Sequence, residues 1–312
     1  MAHDRRFRFG AQLHNPLPGL SWTESARRIE DLGFSTLFMP DHFEDQLAPV
    51  PALAAAAAAT TTLKIGTLVH GNDYRHPIVL AKEAATLDVL SDGRLEFGLG
   101  AGWMRTDYIK SGMAYDSPGV RISRMEESIQ VIKGLFGPDP VSFDGDHYAV
   151  TGLNGLPKPV QPGGPKIVIG GGGPRMLGVA ARHADVVALT ANLAAGEVGP
   201  DAAADAVAER FDAKSARVKE VAGDRYDDLE INVLVMAAMV TDDRDGQAAL
   251  LAQLFGVEPD EALTVPLAWV GSVEQICESL EERRQRWDIS YPCVQGNAVE
   301  AVAPIVAKLT GN

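Results

Sequence analysis

The chain has 312 residues, 46% of them hydrophobic and 22% charged, the balance of a water-soluble globular protein. Its formal net charge of −14 argues against nucleic acid as a partner, because phosphate binding needs a basic face. It also argues against an anionic membrane surface.

The N-terminal MAHDRRFRFG is basic but has no apolar stretch of the kind a signal peptide needs. The alanine run Ala54–Ala59 is far too short to cross a bilayer, so a cytoplasmic location is expected. Phe7–Leu13 reads as a first strand, with His14 and Asn15 just beyond it. Ser21 and Glu24 form a capping box for a helix carrying Trp22, Ala26 and Ile29, which stops at Gly33. Thr36–Met39 is a second strand, followed by Pro40-Asp41-His42-Phe43. Pro51–Thr60 is a good helix former. Leu63–Val69 is a third strand, ending at His70-Gly71-Asn72.

From His76 to Trp103 the chain reads as helix, turn, buried strand and glycine-rich loop. Pro77 suits a first helical turn, where its missing N–H needs no partner. Leu80, Ala84 and Leu87 share one apolar face. Gly93, after Asp92, suits a left-handed helix end. Leu95, Phe97 and Leu99 form a fourth strand with Gly98, Gly100 and Gly102. Alternating glycines let something approach the backbone closely, and a ligand is the expected visitor.

Arg121–Phe136 is an amphipathic helix, and Val141–Val150 a hairpin turning at Asp144-Gly145. Pro157–Pro165 is a loop. Lys166–Ile169 is a fifth strand, running into four glycines and a helix that opens at Pro174. Asp185–Leu189 is a sixth strand, Ala202–Val221 a helix and Glu230–Val240 a seventh strand. Gln247–Gly256 and Ser272–Trp287 are helical, Ile289–Val294 is an eighth strand and Val299–Leu309 a last helix. Eight strands with helical crossovers and no linker predict one domain, residues 1–312, built as an α/β (β/α)₈ TIM barrel; a doubly wound open sheet is the competitor.

Active sites of such barrels form at the C-terminal ends of the strands. There the spacing gathers His14, His42 and His70, and histidine moves protons near neutral pH. The same residues can each serve a local hydrogen bond instead. Asp41 and His42 can share a pocket only where the strand has already ended, which Pro40 permits. No His-x-His pair or carboxylate cluster accompanies them, so no metal is expected. No lysine falls at a strand's C-terminal end, which argues against Schiff-base chemistry. Gly170–Gly173 with Pro174 and Arg175 follows a strand and opens a helix; bare backbone N–H groups there favour an anion site over a plain tight turn. Cys277 and Cys293 lack metal-ligand spacing and read as free thiols.

PDHF (40–43), YRHP (74–77), LAKEAATLDVLSDGR (80–94), GLGAGW (98–103), LPKPVQ (156–161), IGGGGPRML (169–177) and VGSVEQI (270–276) together resemble the luciferase-like monooxygenase superfamily, in the branch that uses coenzyme F420, a deazaflavin. The resemblance implies a bacterial luciferase-like barrel, usually a homodimer, with an insertion after strand seven beside the hairpin insertion after strand four. It implies a deazaflavin ring at the rim, touched by Asp41 and by the strand-four loop (Ala101, Gly102, Trp103), with a polar contact at Thr106. A non-prolyl cis peptide backing the ring is expected within Leu68, Val69, His70 and Gly71, with Asn72 following. The cofactor's phosphate would rest on Gly171, Gly172, Gly173, Arg175 and Met176.

In sugar-phosphate dehydrogenase relatives the histidine matching His42 donates a proton, and a glutamate stands where this chain has Trp103, so a different small organic substrate is expected. The segment from Arg105 to Gly119 and the strand-seven insertion would form the lid, and Tyr108, Met113 and Tyr115 suggest a moderately apolar substrate. The expected activity is hydride transfer between F420 and that substrate, with His42, then His14 and His70, moving the proton. The alternative is an FMN-dependent monooxygenase fed by a separate reductase. A deazaflavin carrier without turnover and a metal-dependent hydrolase are further rivals.

Overall fold

The structure, a computed structural model, describes residues 5–312. The first half runs β1 (Gly10–Gln12), α1 (Trp22–Asp31), β2 (Thr36–Met39), α2 (Pro49–Ala59), β3 (Lys64–Thr67), β4 (His70–Gly71), α3 (Pro77–Leu90), β5 (Leu95–Gly100), α4 (Arg105–Ser111), α5 (Pro118–Phe136), β6 (Val141–Asp144) and β7 (Ala149–Leu153). Then come β8 (Lys166–Gly171), α6 (Pro174–His183), β9 (Val186–Leu189), α7 (Pro200–Ala204), α8 (Ala208–Ala222) and β10 (Glu230–Val235). The chain ends with β11 (Ala237–Val240), α9 (Arg244–Phe255), α10 (Pro259–Ala262), β12 (Ala268–Gly271), α11 (Val273–Trp287), β13 (Ile289–Gln295) and α12 (Val299–Leu309).

Eight strands pair in parallel in the order β3-β2-β1-β13-β10-β9-β8-β5, and β3 pairs with β5 to close the ring. Strands buried on both faces need no polar alternation, and β2, β5 and β9 are buried at every residue. The result is the (β/α)₈ barrel that the strand count predicts. The capping box of α1 is present, with Ser21 N–H donating to Glu24 at 2.8 Å. Pro77 opens α3, and Asp92 and Gly93 end its turn with φ of 54° and 76°. The hairpin β6–β7 forms its own two-stranded sheet.

Three elements differ from the sequence reading. The third strand is interrupted: β3 stops at Thr67 and β4 resumes pairing with β5; between them the Leu68–Val69 peptide is cis, within the stretch where the resemblance places one. The predicted helix over 202–221 is two helices, α7 and α8. The predicted strand over 230–240 leaves the barrel at Met236, and β11 pairs with β12 in a separate parallel pair. That pair, with α9 and α10, is the insertion after barrel strand seven.

The close approach at the strand-four glycines is also corrected. A Cβ on Gly98 would lie 1.8 Å from the Thr67 carbonyl oxygen, one on Gly100 2.6 Å from Val69 and one on Gly102 1.9 Å from the Tyr108 hydroxyl. The protein itself is the visitor that these glycines admit.

Several motif residues prove architectural. Asp88 is buried and accepts from the Val160 and Gln161 N–H groups at 2.7 and 3.0 Å, tying α3 to the loop before β8. Arg94 donates to the carbonyls of Ser91, Leu63 and Ala57. At the strands' N-terminal mouth, Arg8 forms a two-bond pair with Glu230, both at 2.6 Å, and reaches Glu96 at 2.6 Å. Lys64 and the Tyr291 hydroxyl also donate to Glu96, at 3.1 and 2.9 Å. This network, centred on the buried Glu96, closes the barrel floor away from the C-terminal rim.

Candidate active site

At the C-terminal rim the strand ends enclose a cavity of about 510 Å³. Its wall includes His14 after β1, Asp41 and His42 after β2, Leu68–Gly71 between β3 and β4, Gly100–Met104 after β5, and Gly170–Met176 at the junction of β8 and α6. His14, His42 and His70 thus share one rim, as the strand ends predict. Among the described residues no group of three or more His, Cys, Asp or Glu side chains could hold a metal.

The three histidines are not equivalent. His42 places Nδ1 2.7 Å from Oδ2 of Asp107, and Trp103 meets its ring edge-on at 5.6 Å. Asp107 is 1% exposed, and also accepts from the Tyr74 hydroxyl at 3.0 Å and the Phe43 N–H at 3.3 Å. A buried carboxylate on Nδ1 selects the tautomer protonated there, leaving Nε2 as the exchanging nitrogen. Burial, then the nearby charge of His42, lowers the His14 imidazole below its ordinary pKa, so its neutral form is favoured near pH 7. His70 is buried, with Nδ1 3.3 Å from Asp41.

Asp41 is committed to the protein. Its carboxylate accepts from Arg75 at 2.5 and 3.1 Å and from the Gly71 N–H at 3.1 Å. Burial works against the charged form, but the hydrogen bonds from His70 and Arg75 outweigh it and hold this carboxyl well below the ordinary range. Asp41 therefore clamps the end of β2 onto β4 and the approach to α3, and lines the cavity as a buried residue.

The glycine turn divides in two. A Cβ on Gly171 would collide with Met176 at 2.3 Å, and one on Gly172 with the Ala191 carbonyl oxygen at 2.3 Å, so those two glycines satisfy packing. Gly170 and Gly173 face no such contact; their nearest neighbours lie at 3.6 and 3.5 Å. Gly173 is the N-cap of α6 and supplies no side-chain cap. The start of this ten-residue helix therefore opens unblocked onto the cavity, the arrangement that binds anions. Arg175 adds a cation, anchored to the Gly119 carbonyl and the Ser123 hydroxyl, each at 2.8 Å.

Asn72 and Thr106 are placed off the cavity. Asn72 is fully buried and donates toward the Tyr148 hydroxyl at 3.3 Å, while Thr106 sits exposed on α4. Tyr108, Met113 and Tyr115 are not on the wall either. Tyr108 is buried and donates to Asp73 at 3.0 Å, and the Tyr115 hydroxyl donates to the Trp103 carbonyl at 3.0 Å. The wall is instead completed by Pro118, Arg121 and Ile122 from α5, by Leu193 and Val198 after β9, and by Met236, the only residue the strand-seven insertion region contributes among those lining it. Sequence reasoning missed Asp107, Tyr74 and Arg75 as site partners. Arg75 and Tyr74 stood inside a quoted motif, and Asp107 lies one helical turn after Trp103.

Comparison with known proteins adds to this geometry. Residues 7–284 match the profile of a family described as luciferase-like monooxygenase. An F420-dependent glucose-6-phosphate dehydrogenase of Amycolatopsis mediterranei is 31% identical over 235 residues, which are 73% of this chain and 66% of that protein. The solved coenzyme F420-dependent tetrahydromethanopterin reductase of Methanopyrus kandleri superposes with a TM-score of 0.77 at 18% identity, covering 98% of this chain and 99% of the other. A monooxygenase from Streptomyces bottropensis superposes with a TM-score of 0.74 at 21% identity, covering 97% and 98%.

Proposed function

The chain belongs to the luciferase-like monooxygenase family, and from that premise we propose that it is an oxidoreductase that binds coenzyme F420 and exchanges a hydride with a small organic substrate. The observation that carries the reading is one cavity holding both an unblocked helix start with bare glycine backbone and an acid–base histidine backed by a buried carboxylate. The F420 dependence of the glucose-6-phosphate dehydrogenase from Amycolatopsis mediterranei supports the cofactor.

The residues present fit such a group. Gly173, Arg175 and Met176 would hold its phosphate through N–H groups of the α6 start, and a Cβ at Gly173 would stand in that cradle. Leu68, Val69, Gly71, Ala101 and Gly102 would line the ring's side of the cavity. When bound, the deazaflavin supplies a two-electron hydride donor or acceptor. The protein's own part is the proton. His42, oriented through Nδ1 by Asp107, gives or takes it at Nε2, and His14 stands by as a neutral base. His70, held by Asp41, shapes the wall. Trp103, where the resemblance would place a glutamate in sugar-phosphate dehydrogenases, puts no carboxylate at that point of the wall and argues for a substrate other than a sugar phosphate.

Titration of the purified protein with oxidised F420 and, separately, FMN tests the reading. Tight F420 binding with weak FMN binding supports it. Tight FMN binding with an oxygen requirement moves the protein to the monooxygenase side of its family. Binding of neither overturns the assignment. We also take residues 1–312 to be one domain that pairs as a homodimer, which light scattering on the eluted protein checks.

A further inference from the structure

Arg121, in the first turn of α5, lines the cavity yet is only 2% exposed. One terminal nitrogen of its guanidinium donates to the main-chain carbonyl of Asp116. Its Nε is buried with no partner among the described residues. The nearby carboxylates are already used: Arg124 pairs with Asp73 at 2.9 Å and with the Asp116 side chain. What Arg121 has instead is aromatic, with its guanidinium carbon 4.3 Å from the Tyr115 ring centre and 5.8 Å from that of Tyr108.

A buried charge without a counter-charge is costly, and a cation–π contact recovers only part of that cost. Other arginines among the described residues also bury an unpartnered Nε, but of these only Arg121 lines the cavity, where a ligand could supply the missing partner. The planar guanidinium matches the two-oxygen edge of a carboxylate or phosphate. A second arginine shares this side of the wall: Arg175 is pinned to the Gly119 carbonyl, two residues before Arg121.

We propose that Arg121 is the counter-ion of a carboxylate or phosphate group carried by a ligand in the cavity, and that with Arg175 it forms an anion locus beside the glycine turn. The acidic tail of the cofactor and an acid group on the substrate are the two sources of such a group. The cofactor-tail source rests on the deazaflavin reading; the anion locus itself does not.

The test is calorimetric titration of the full chain, as wild type, Arg121→Gln and Arg121→Lys, with inorganic phosphate, with F420 and with the uncharged deazaflavin riboside that lacks the acidic tail. Wild type should bind phosphate, Arg121→Gln should bind it at least tenfold more weakly, and Arg121→Lys should lose less. If the tail is the source, Arg121→Gln weakens F420 binding tenfold and leaves the riboside unchanged. If the substrate is the source, F420 affinity stays constant while phosphate binding to the F420-loaded protein is lost. Should Arg121→Gln fail to fold, Arg121→Met keeps the stem against Tyr115 and reads the same losses. Phosphate and F420 affinities equal to wild type in a folded variant overturn the proposal. Arg121-dependent phosphate binding by a protein that ignores F420 leaves the proposal standing and removes the deazaflavin reading.

Discussion

Replacing Asp107 by Asn keeps the shape of the side chain and removes its charge, at a buried position where three donors converge. The carboxylate accepts from His42, Tyr74 and the Phe43 N–H; an amide has one acceptor oxygen and one donor group. Facing its oxygen toward His42 and Tyr74 opposes its NH₂ to the Phe43 N–H. Turned the other way, its NH₂ faces Nδ1 of His42 and forces the proton onto Nε2. Either choice converts charge-assisted bonds into weaker or mismatched ones, a loss of about 2 kcal/mol for a buried bond to a charged group. Unfolding entropy of roughly 2.1 cal/mol/K per residue gives about 0.66 kcal/mol/K for a chain of 312 residues. The melting temperature should therefore fall by about 3 °C. Ring ¹⁵N shifts of neutral His42 should report a proton on Nδ1 in wild type and a loss of that preference in Asp107→Asn. A variant with the wild-type tautomer and unchanged melting would refute the assignment of Asp107 as the group that orients His42.

The other expectations concern the frame and its pH dependence. Glu96→Ala removes a buried carboxylate that accepts from Arg8, Lys64 and the Tyr291 hydroxyl, while Arg8 keeps its two-bond pair with Glu230; losing buried hydrogen bonds to a charged group costs about 1.5–3 kcal/mol, or roughly 2–5 °C on the same entropy scale. Thermal melting should show that loss while ligand binding at the opposite mouth of the barrel survives. Gly98→Ala drives a Cβ onto the Thr67 carbonyl and should abolish soluble expression, whereas Gly112→Ala, with open space at φ 74°, should cost only about 1 kcal/mol; equal stability of the two would be contrary evidence. Glu30 is held at about 2, where burial is outweighed by hydrogen bonds from the Thr62 and Leu63 N–H groups. Its folded pKa is depressed, so its contribution is complete above the ordinary glutamate range near 4.5 and is lost as pH falls toward 2. Urea midpoints of wild type and Glu30→Ala should therefore differ at pH 7 and converge at pH 2.

The fold was legible because its signals are local and repeated. Each barrel strand carries a buried apolar run, and each junction carries a cap or breaker such as Ser21, Gly33, Pro77 or Gly93. The same locality explains what was missed. The run from Leu63 to Val69 looks uniform, and nothing in its composition marks the break after Thr67. The run from Glu230 to Val240 is equally uniform, but its second half finds a different partner, β12, some thirty residues away; pairing over that distance leaves no mark on either segment. The rim histidines were legible because strand ends dictate who shares the rim. Their ranking was not, since it depends on Asp107 and Arg75, whose side chains reach Nδ1 of His42 and the carboxylate of Asp41 from other elements.

The glycines show where the reading of sequence alone must stop. Absence of a side chain says that something comes close, and says nothing about what. At Gly98 the neighbour is the Thr67 carbonyl, at Gly102 the Tyr108 hydroxyl, and at Gly171 and Gly172 the chain's own Met176 and Ala191. Only Gly170 and Gly173 remain free of such claims while lining the cavity. A glycine that packing does not require, at the uncapped start of a helix, is the stronger indicator of a ligand than four glycines in a row. Arg121 makes the complementary case: a buried cation that the protein leaves without a carboxylate is as informative as an absent side chain. One feature leaves room and the other leaves charge, and both border the same side of one cavity. An anionic group seated between α5 and α6 answers both.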